Sequence, residues 1–384
     1  MRIYLKQNVW DAALDRMRYI FDEFPNVIVG FSGGKDSTVT MNLALIVAKE
    51  KGRLPLKVMF IDQEAEWQST IDYVEKTFKR PEIEPIWLQC PIKIFNASSH
   101  LTDKWLQCWE PGADWIRPKN PISIKDNTFG TDRFADMFEK FLATMYPNQK
   151  TAYLAGVRAE ESPARFVGLT STATYKKITY GKILNRKFEH YTVYPLYDWT
   201  YMDIWKAIHD NNWDYCKLYD LMWQHGVPVR QMRVSNVHHE TAVRSLFYLH
   251  EIEADTWEKV SKRLEGVNTM KHLEMDSMKC PNDLPFMFQD WREYRDHLTE
   301  NLIVDESARA AFKKIFERMD KQYKKMYFKE DMYKVQITAL MVNDYHSTKI
   351  ANWERIPEVD NFRKYLAGQF NHKTLTNRYV SGKK

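Results

Sequence analysis

Trp10, Leu14, Met17, Ile20, Phe21 and Phe24 recur at helical intervals, so residues 8–24 are expected to form an amphipathic helix. Residues 27–31 are an uninterrupted apolar run, the mark of a short strand buried on both faces. A glycine-rich turn follows, and residues 37–51 read as a helix that stops at Gly52. The alternation then repeats, with a buried strand at 56–61, a helix at 68–78 and a third strand at 84–88. Strands alternating with helices at this spacing predict an α/β fold, a doubly wound, mostly parallel sheet covered on both faces.

Residues 110–131 hold three prolines and two glycines and read as a long surface loop, either functional or mobile. A helix is expected at 132–145, a strand at 151–155, a polar flap or hairpin at 170–187 and a strand at 191–196. Thr200 and Asp203 have the spacing of a capping box at the start of a helix reaching His209. Beyond Val234 the strand pattern is lost, and helical periods cover 240–250, 254–264, 285–298 and 306–326. The chain is therefore divided into a nucleotide-binding domain over 1–235 and a smaller, mainly helical, basic region over 236–384.

Composition narrows the class. Hydrophobic residues at 44% and charged residues at 28% suit a water-soluble globular chain. The longest apolar runs, 27–31 and 41–48, are too short to span a bilayer, so no membrane partner is expected. Residues 1–10 lack a basic segment followed by an apolar one, which leaves the cytoplasm as the expected compartment. Cys90, Cys108, Cys216 and Cys280 are scattered, with no Cys-x-x-Cys pair, so neither a zinc ribbon nor an iron–sulfur cluster is expected. His238 and His239 are adjacent and lack the spacing of a zinc-binding helix. The net charge of +5 is uneven: residues 309–329 carry eight basic residues against Glu317 and Asp320, and residues 371–384 are basic without an acid. Such stretches suit a polyanion, nucleic acid among them, although a solvated helix face has the same look.

The chemistry concentrates at the end of the first strand. Only 13 glycines occur in the chain, yet Gly30, Gly33 and Gly34 fall within five positions where a buried strand meets a helix. Glycine there permits positive φ and close backbone approach, and the free amides of the helix start point at an anion. Ser32 and Ser37 add hydroxyl donors and Lys35 a point charge. A Walker A loop is excluded, because Val29 stands where its first glycine belongs and Asp36 follows Lys35 where Ser or Thr would hold Mg²⁺.

Phe31-Ser32-Gly33-Gly34-Lys35-Asp36-Ser37 is instead the PP-loop signature, and two further motifs follow in order: Phe60-Ile61-Asp62, then Gly156-Val157-Arg158-Ala159-Glu160-Glu161 running to Arg165, with Tyr194–Thr200 behind it. On these residues the chain resembles the phosphoadenosine phosphosulfate (PAPS) reductase-like family of PP-loop ATP pyrophosphatases, over its first two-thirds. The helical extension is similar to the branch that includes the IbrA and YbdN proteins. The resemblance implies an adenine nucleotide, ATP or PAPS, with its phosphates on Phe31–Ser37 and contacts from Asp62, Gly156, Arg158, Glu161 and Arg165. Arg158 and Arg165, seven residues apart, would face one pocket if a helix began near Glu160, and guanidinium groups suit phosphate or sulfate. Glu161 would fix the orientation of an arginine. Asp36 or Asp62 would hold Mg²⁺. Lys35, Asp36, Asp62 and Arg158 are the expected catalytic set.

The sequence also departs from the family. It lacks the Glu-Cys-Gly-Leu-His segment of PAPS reductases, and it has Asp62-Gln63-Glu64 where the family has Asp-Thr-Gly. The expected reaction is therefore attack by an acceptor on ATP with release of pyrophosphate, an adenylyltransferase chemistry within sulfur metabolism. Two alternatives stand beside it. One is sulfonucleotide reduction by Cys280 or by the thiol of a protein partner. The other is a non-catalytic, nucleotide-dependent regulator that binds nucleic acid through 309–329, with stacking surfaces drawn from 13 Trp and 21 Tyr.

Overall fold

The structure is a computed structural model that describes residues 6–98, 105–170, 174–239, 243–270, 280–326 and 329–368. The chain divides into two compact units. The first comprises Met1–Ile94, Gln107–Val237 and Glu251–Thr256; the second comprises Phe95–Leu106, His238–His250 and Trp257–Lys384. The division is discontinuous in sequence.

The first unit opens with α1 (Val9–Glu23), capped by the Asn8 side chain on the Asp11 amide and burying Ala13, Leu14, Met17, Ile20 and Phe21. There follow β1 (Asn26–Gly30), α2 (Lys35–Glu50), β2 (Leu56–Ile61), α3 (Gln68–Phe78), β3 (Ile83–Leu88), β4 (Ile92–Phe95), β5 (Trp105–Cys108) and α4 (Phe134–Met145). After them come β6 (Thr151–Leu154), α5 (Pro163–Thr170), β7 (Gly181–Asn185), β8 (His190–Val193), α6 (Tyr201–Asp210) and α7 (Leu218–Gln224). Six strands form one sheet in the order β3-β2-β1-β6-β8-β7. All neighbours are parallel except β7 with β8, so the expected mostly parallel α/β sheet is present. Pro85 is tolerated in β3 because that strand is an edge and needs no donor on its open side. The chain leaves β1 in one direction to β2 and returns on the other side as β6, which makes the β1/β6 junction the topological switch point.

Three local expectations need correction. Residues 110–131 do not lie on the surface throughout: Ile116 and Phe129 are buried, and so is the Arg117 side chain. Proline and glycine content reports the lack of regular structure, and it does not report depth. The hairpin expected at 170–187 is formed instead by β7 and β8, and it joins the main sheet as an antiparallel edge. The two-stranded sheet of β4 and β5 has no counterpart in the sequence pattern, because each strand is four residues long and offers only two buried positions.

Helices fill the rest of the chain: α8 (Leu246–Ile252), α9 (Ala254–Arg263), α10 (Val267–Met270), α11 (Trp291–Asn301), α12 (Glu306–Gln322), α13 (Lys329–Met341), α14 (Thr348–Trp353) and α15 (Pro357–Leu366). The second unit has its own core, in which Phe312, Phe316 and Met319 of α12 meet Leu340, Trp353 and Phe362. Helix α11 begins later than the apolar period at 285 predicts, because Asp290 caps it by accepting from the Glu293 amide. Arg295 of α11 is almost fully buried and donates to Asp296, Asp320 and Gln336. The basic tail at 371–384 lies outside the described residues. Among the described residues no helix is long and apolar enough to cross a membrane.

Two of these contacts carry measurable stability. Thr200 accepts from the Asp203 amide and Asp203 accepts from the Thr200 amide, so Thr200→Ala removes half of a capping box. It should cost about 1 kcal/mol in denaturant unfolding. Arg295→Ala leaves Asp320 with only the longer Arg292 contact and strands Oε1 of the fully buried Gln336, and should cost roughly 3 kcal/mol, read in the unfolding transition of the second unit.

Candidate functional site

The PP-loop lies at the carboxyl end of β1, at the switch point, and Gly30 before it and Gly33 within it are there for steric reasons. A Cβ on Gly30 would sit 2.1 Å from the Tyr153 hydroxyl of β6. Gly33 has φ of +73°, and its Cβ would sit 2.9 Å from Thr70 Cγ2 of α3. The loop is braced from within: the Ser32 amide donates to Ser37 Oγ at 3.2 Å, and Ser37 Oγ donates to the Gly34 carbonyl at 2.9 Å. Gly34 is the N-cap of α2 and supplies no side chain to the free amides of its first turn. One of these, the Lys35 amide, donates to the Tyr219 hydroxyl at 3.1 Å.

Charge gathers on the next residue. Asp36 Oδ2 holds Lys35 Nζ at 2.7 Å, and Oδ1 accepts from Arg158 Nε, whose side chain is 5% exposed. Arg158 arrives from the turn after β6, and Gly156 in that turn lies directly on the start of α2. A Cβ at Gly156 would come within 2.7 Å of the Asp36 carbonyl carbon, so no side chain fits between the two turns. Glu161 fixes Arg158 through the backbone, its Oε1 accepting from the Arg158 amide at 2.8 Å. Glu160 lies 3.4 Å from Arg158 Nη1 and accepts from the Tyr201 amide at 2.8 Å. One cluster therefore contains Ser32, Gly33, Gly34, Lys35, Asp36, Ser37, Gly156, Arg158 and Glu161.

Three expected site residues stand apart from it. Phe31 is buried, packs on Tyr73 and Phe78, and donates its amide to Met59; its ring belongs to the core beneath the loop. Arg165 is exposed on α5, 3.8 Å from Glu161. It does not share a helix face with Arg158, because a short 3₁₀ turn at Ala159–Glu161 precedes α5 and breaks the assumed spacing. Asp62 is fully buried and accepts from Trp87 Nε1, Gln89 Nε2, Arg117 Nη2 and the Glu64 amide. Four donors use the lone pairs of a carboxylate, so Asp62 has none for a metal. Asp36 accepts from only two donors, one on each oxygen, and keeps further lone pairs. Among the described residues no group of three or more His, Cys, Asp or Glu side chains is arranged to hold a metal ion.

Sequence reasoning missed Tyr219 and Arg117. Burial, its largest influence, pushes the Tyr219 hydroxyl well above the usual phenol range, which keeps it protonated, and nothing near it in sequence marks it. Arg117 had a signal, since Asp62, Glu64 and Glu66 alternate after a buried strand and require a cation. Arg117 supplies it from the 110–131 loop and also donates to the Glu64 carbonyl at 2.6 Å. Asp198 and Trp199 fasten α1. Asp198 pairs with Arg16 at 2.7 Å, and Trp199 Nε1 donates to the Val9 carbonyl at 3.1 Å.

The thiols offer no activated nucleophile among the residues that titrate away from their ordinary value. Burial pushes Cys90, Cys216 and Cys280 up to about 11. The basic stretch of α12 is partly neutralised within the second unit, since Lys313 pairs with Glu300 and Arg318 with Glu354. Arg309 caps the Ile303 carbonyl, whereas Lys314, Lys321, Lys324 and Lys325 are exposed.

Residues 26–225 match the model of the phosphoadenosine phosphosulfate reductase domain. The uncharacterized protein YbdN of Escherichia coli (strain K12) is 32% identical over 282 residues, covering 70% of this chain and 68% of YbdN. Among solved structures, Candida glabrata FMN adenylyltransferase in complex with FMN and an ATP analogue aligns with 57% of this chain and 64% of its own, at 17% identity and a TM-score of 0.35. The PAPS reductase of Candida auris aligns with 58% of this chain and 94% of its own, at 16% identity and a TM-score of 0.30. With a domain model covering more than half of its length and a relative at 32% identity, the chain belongs to the phosphoadenosine phosphosulfate reductase domain family.

Proposed function

We propose that the chain binds ATP, or a related adenine nucleotide, at the PP-loop and cleaves the bond between the α and β phosphates. An acceptor oxygen attacks the α-phosphorus, the bridging P–O bond breaks, the acceptor is adenylated and pyrophosphate leaves. The observation that carries this reading is the convergence of Lys35 and Arg158 on Asp36, at the uncapped start of α2 and at the sheet's switch point. Lys35 and Arg158 are balanced by Asp36 and Glu160, so the amides of the helix N-terminus beside them supply the positive end that a polyphosphate would meet.

In this reading Ser32, Gly33, Gly34, Lys35 and Ser37 hold the β and γ phosphates, while Arg158 neutralises the charge that develops as pyrophosphate departs. Mg²⁺ supplies further neutralisation when bound, with Asp36 as its protein carboxylate. Sulfonucleotide reduction uses the same phosphate cradle but needs a thiolate, and the high values at Cys90, Cys216 and Cys280 leave these thiols protonated at neutral pH. That favours adenylation over reduction by the chain's own thiols.

Purified protein with ATP and Mg²⁺ should release pyrophosphate, and Lys35→Ala should lower the rate by about 100-fold or more. Equal release by Lys35→Ala would sink the assignment. The exposed lysines on α12 and in the turn after it favour a second role in nucleic-acid binding. If they serve it, exchanging Lys314, Lys324 and Lys325 for Gln should flatten the dependence of log affinity on log salt by about 0.9 for each phosphate no longer neutralised. An unchanged slope removes that patch from the reading.

A further inference from the structure

Three rings from α6 and α7 stand around the lysine of the PP-loop. The ring centres of Tyr201 and Tyr219 lie 5.6 and 5.7 Å from Lys35 Nζ. Trp205 meets both rings edge-on, at 6.3 and 5.3 Å between centres, and braces one against the other. The two tyrosines are fixed in different ways. Tyr219 is buried, and its hydroxyl accepts from the Lys35 amide at 3.1 Å, so its ring is tied to the loop backbone. Tyr201 is half-buried and is the first residue of α6. The Thr200–Asp203 capping box sets the backbone there, and the Tyr201 amide donates to Glu160 Oε2 at 2.8 Å. Glu160 also lies 3.4 Å from Arg158 Nη1, so the ring beside Lys35 is anchored to the turn that delivers the second cation.

The Lys35 side chain is 13% exposed and pairs with Asp36 at 2.7 Å. In a phosphate site a carboxylate partner competes with the ligand for the same N–H donors. An aromatic face attracts the ammonium through its quadrupole and brings no oxygen to compete. Burial raises the Tyr201 phenol above its ordinary value, so the ring meets the cation uncharged. We propose that Tyr201 is a positioning residue, whose ring, with that of Tyr219, keeps the Lys35 ammonium at the loop where a phosphate takes it over from Asp36. This rests on the nucleotide reading above and adds a residue outside the loop that governs phosphate affinity. The ring acts on Lys35 whether ATP or pyrophosphate is bound, so its loss weakens both.

Two measurements on the full chain test this, and the first needs no ligand. In protein labelled with ¹³C at lysine Cε, ring currents should set the Lys35 signal, assigned by its loss in Lys35→Met, apart from those of exposed lysines. Tyr201→Leu should move it toward them, and Tyr201→Phe should leave it in place. A wild-type Lys35 signal that coincides with the exposed lysines overturns the inference without recourse to a Tyr201 variant. So does a signal that Tyr201→Leu fails to move.

The second is calorimetry with pyrophosphate. Tyr201→Leu should weaken binding about fivefold, whereas Tyr201→Phe, which keeps the ring, should stay within about twofold of wild type. In a Lys35→Met background Tyr201→Leu should have no further effect. An equal loss in both backgrounds shows that Tyr201 does not act through Lys35 and overturns the inference while the phosphate site stands. Failure of wild type to bind pyrophosphate overturns the phosphate site itself, and the inference with it.

Discussion

The candidate site depends on a contact with no room in it: the turn after β6 lies on the first turn of α2, with Gly156 against the backbone of Asp36. Any side chain at 156 would push the two turns apart and carry Arg158 away from Asp36. The contact places a cation from one strand's turn against the helix start that belongs to its neighbour, across the switch point of the sheet. Asp36 then acts as a fixed anion that holds Lys35 and Arg158 side by side. Without it, two cations beside a helix N-terminus would repel each other and the partial positive charge of the helix.

The neighbouring elbow solves a different electrostatic problem. Three acids in five residues are buried after β2, and a single guanidinium from a distant loop serves them. Asp62 accepts from donors on both of its oxygens, so its role is to fix the elbow's shape. Glu66, four residues on, is buried without such support, and burial pushes its carboxyl well above the usual carboxylate range. The 109–119 segment is part of this device, since Trp109 and Arg117 both donate into the elbow.

Much of the first unit is legible in the sequence because strand–helix alternation and the SGGKDS string are local signals. The apolar periods place β2 and α3 at their observed ends, and two residues, Thr200 and Asp203, suffice to mark the capping box. What escapes is non-local. Tyr219 reaches the Lys35 amide from 184 positions away, and Arg117 reaches Asp62 across 55. No periodicity encodes either contact. Asp62 misleads for the same reason: an aspartate at a strand end is a reasonable metal ligand until Trp87, Gln89 and Arg117 are found around it. Arg158 and Arg165 are separated by a single 3₁₀ turn, too small a change for residue spacing to reveal.

The reaction for which the family is named needs a thiolate. A thiol whose pKa is about 11 is a thiolate in roughly one molecule per ten thousand at pH 7. Lys119 pulls Cys90 down and Lys334 pulls Cys280 down, but burial outweighs both, while Lys35 and Arg158 at the start of α2 face Asp36. The electrostatic means of activating a nucleophile are thus gathered where a polyphosphate would lie, and burial governs Cys90, Cys216 and Cys280. A site built in this way stabilises a leaving group better than it generates an attacking one, which is the division of labour expected when the nucleophile belongs to the acceptor.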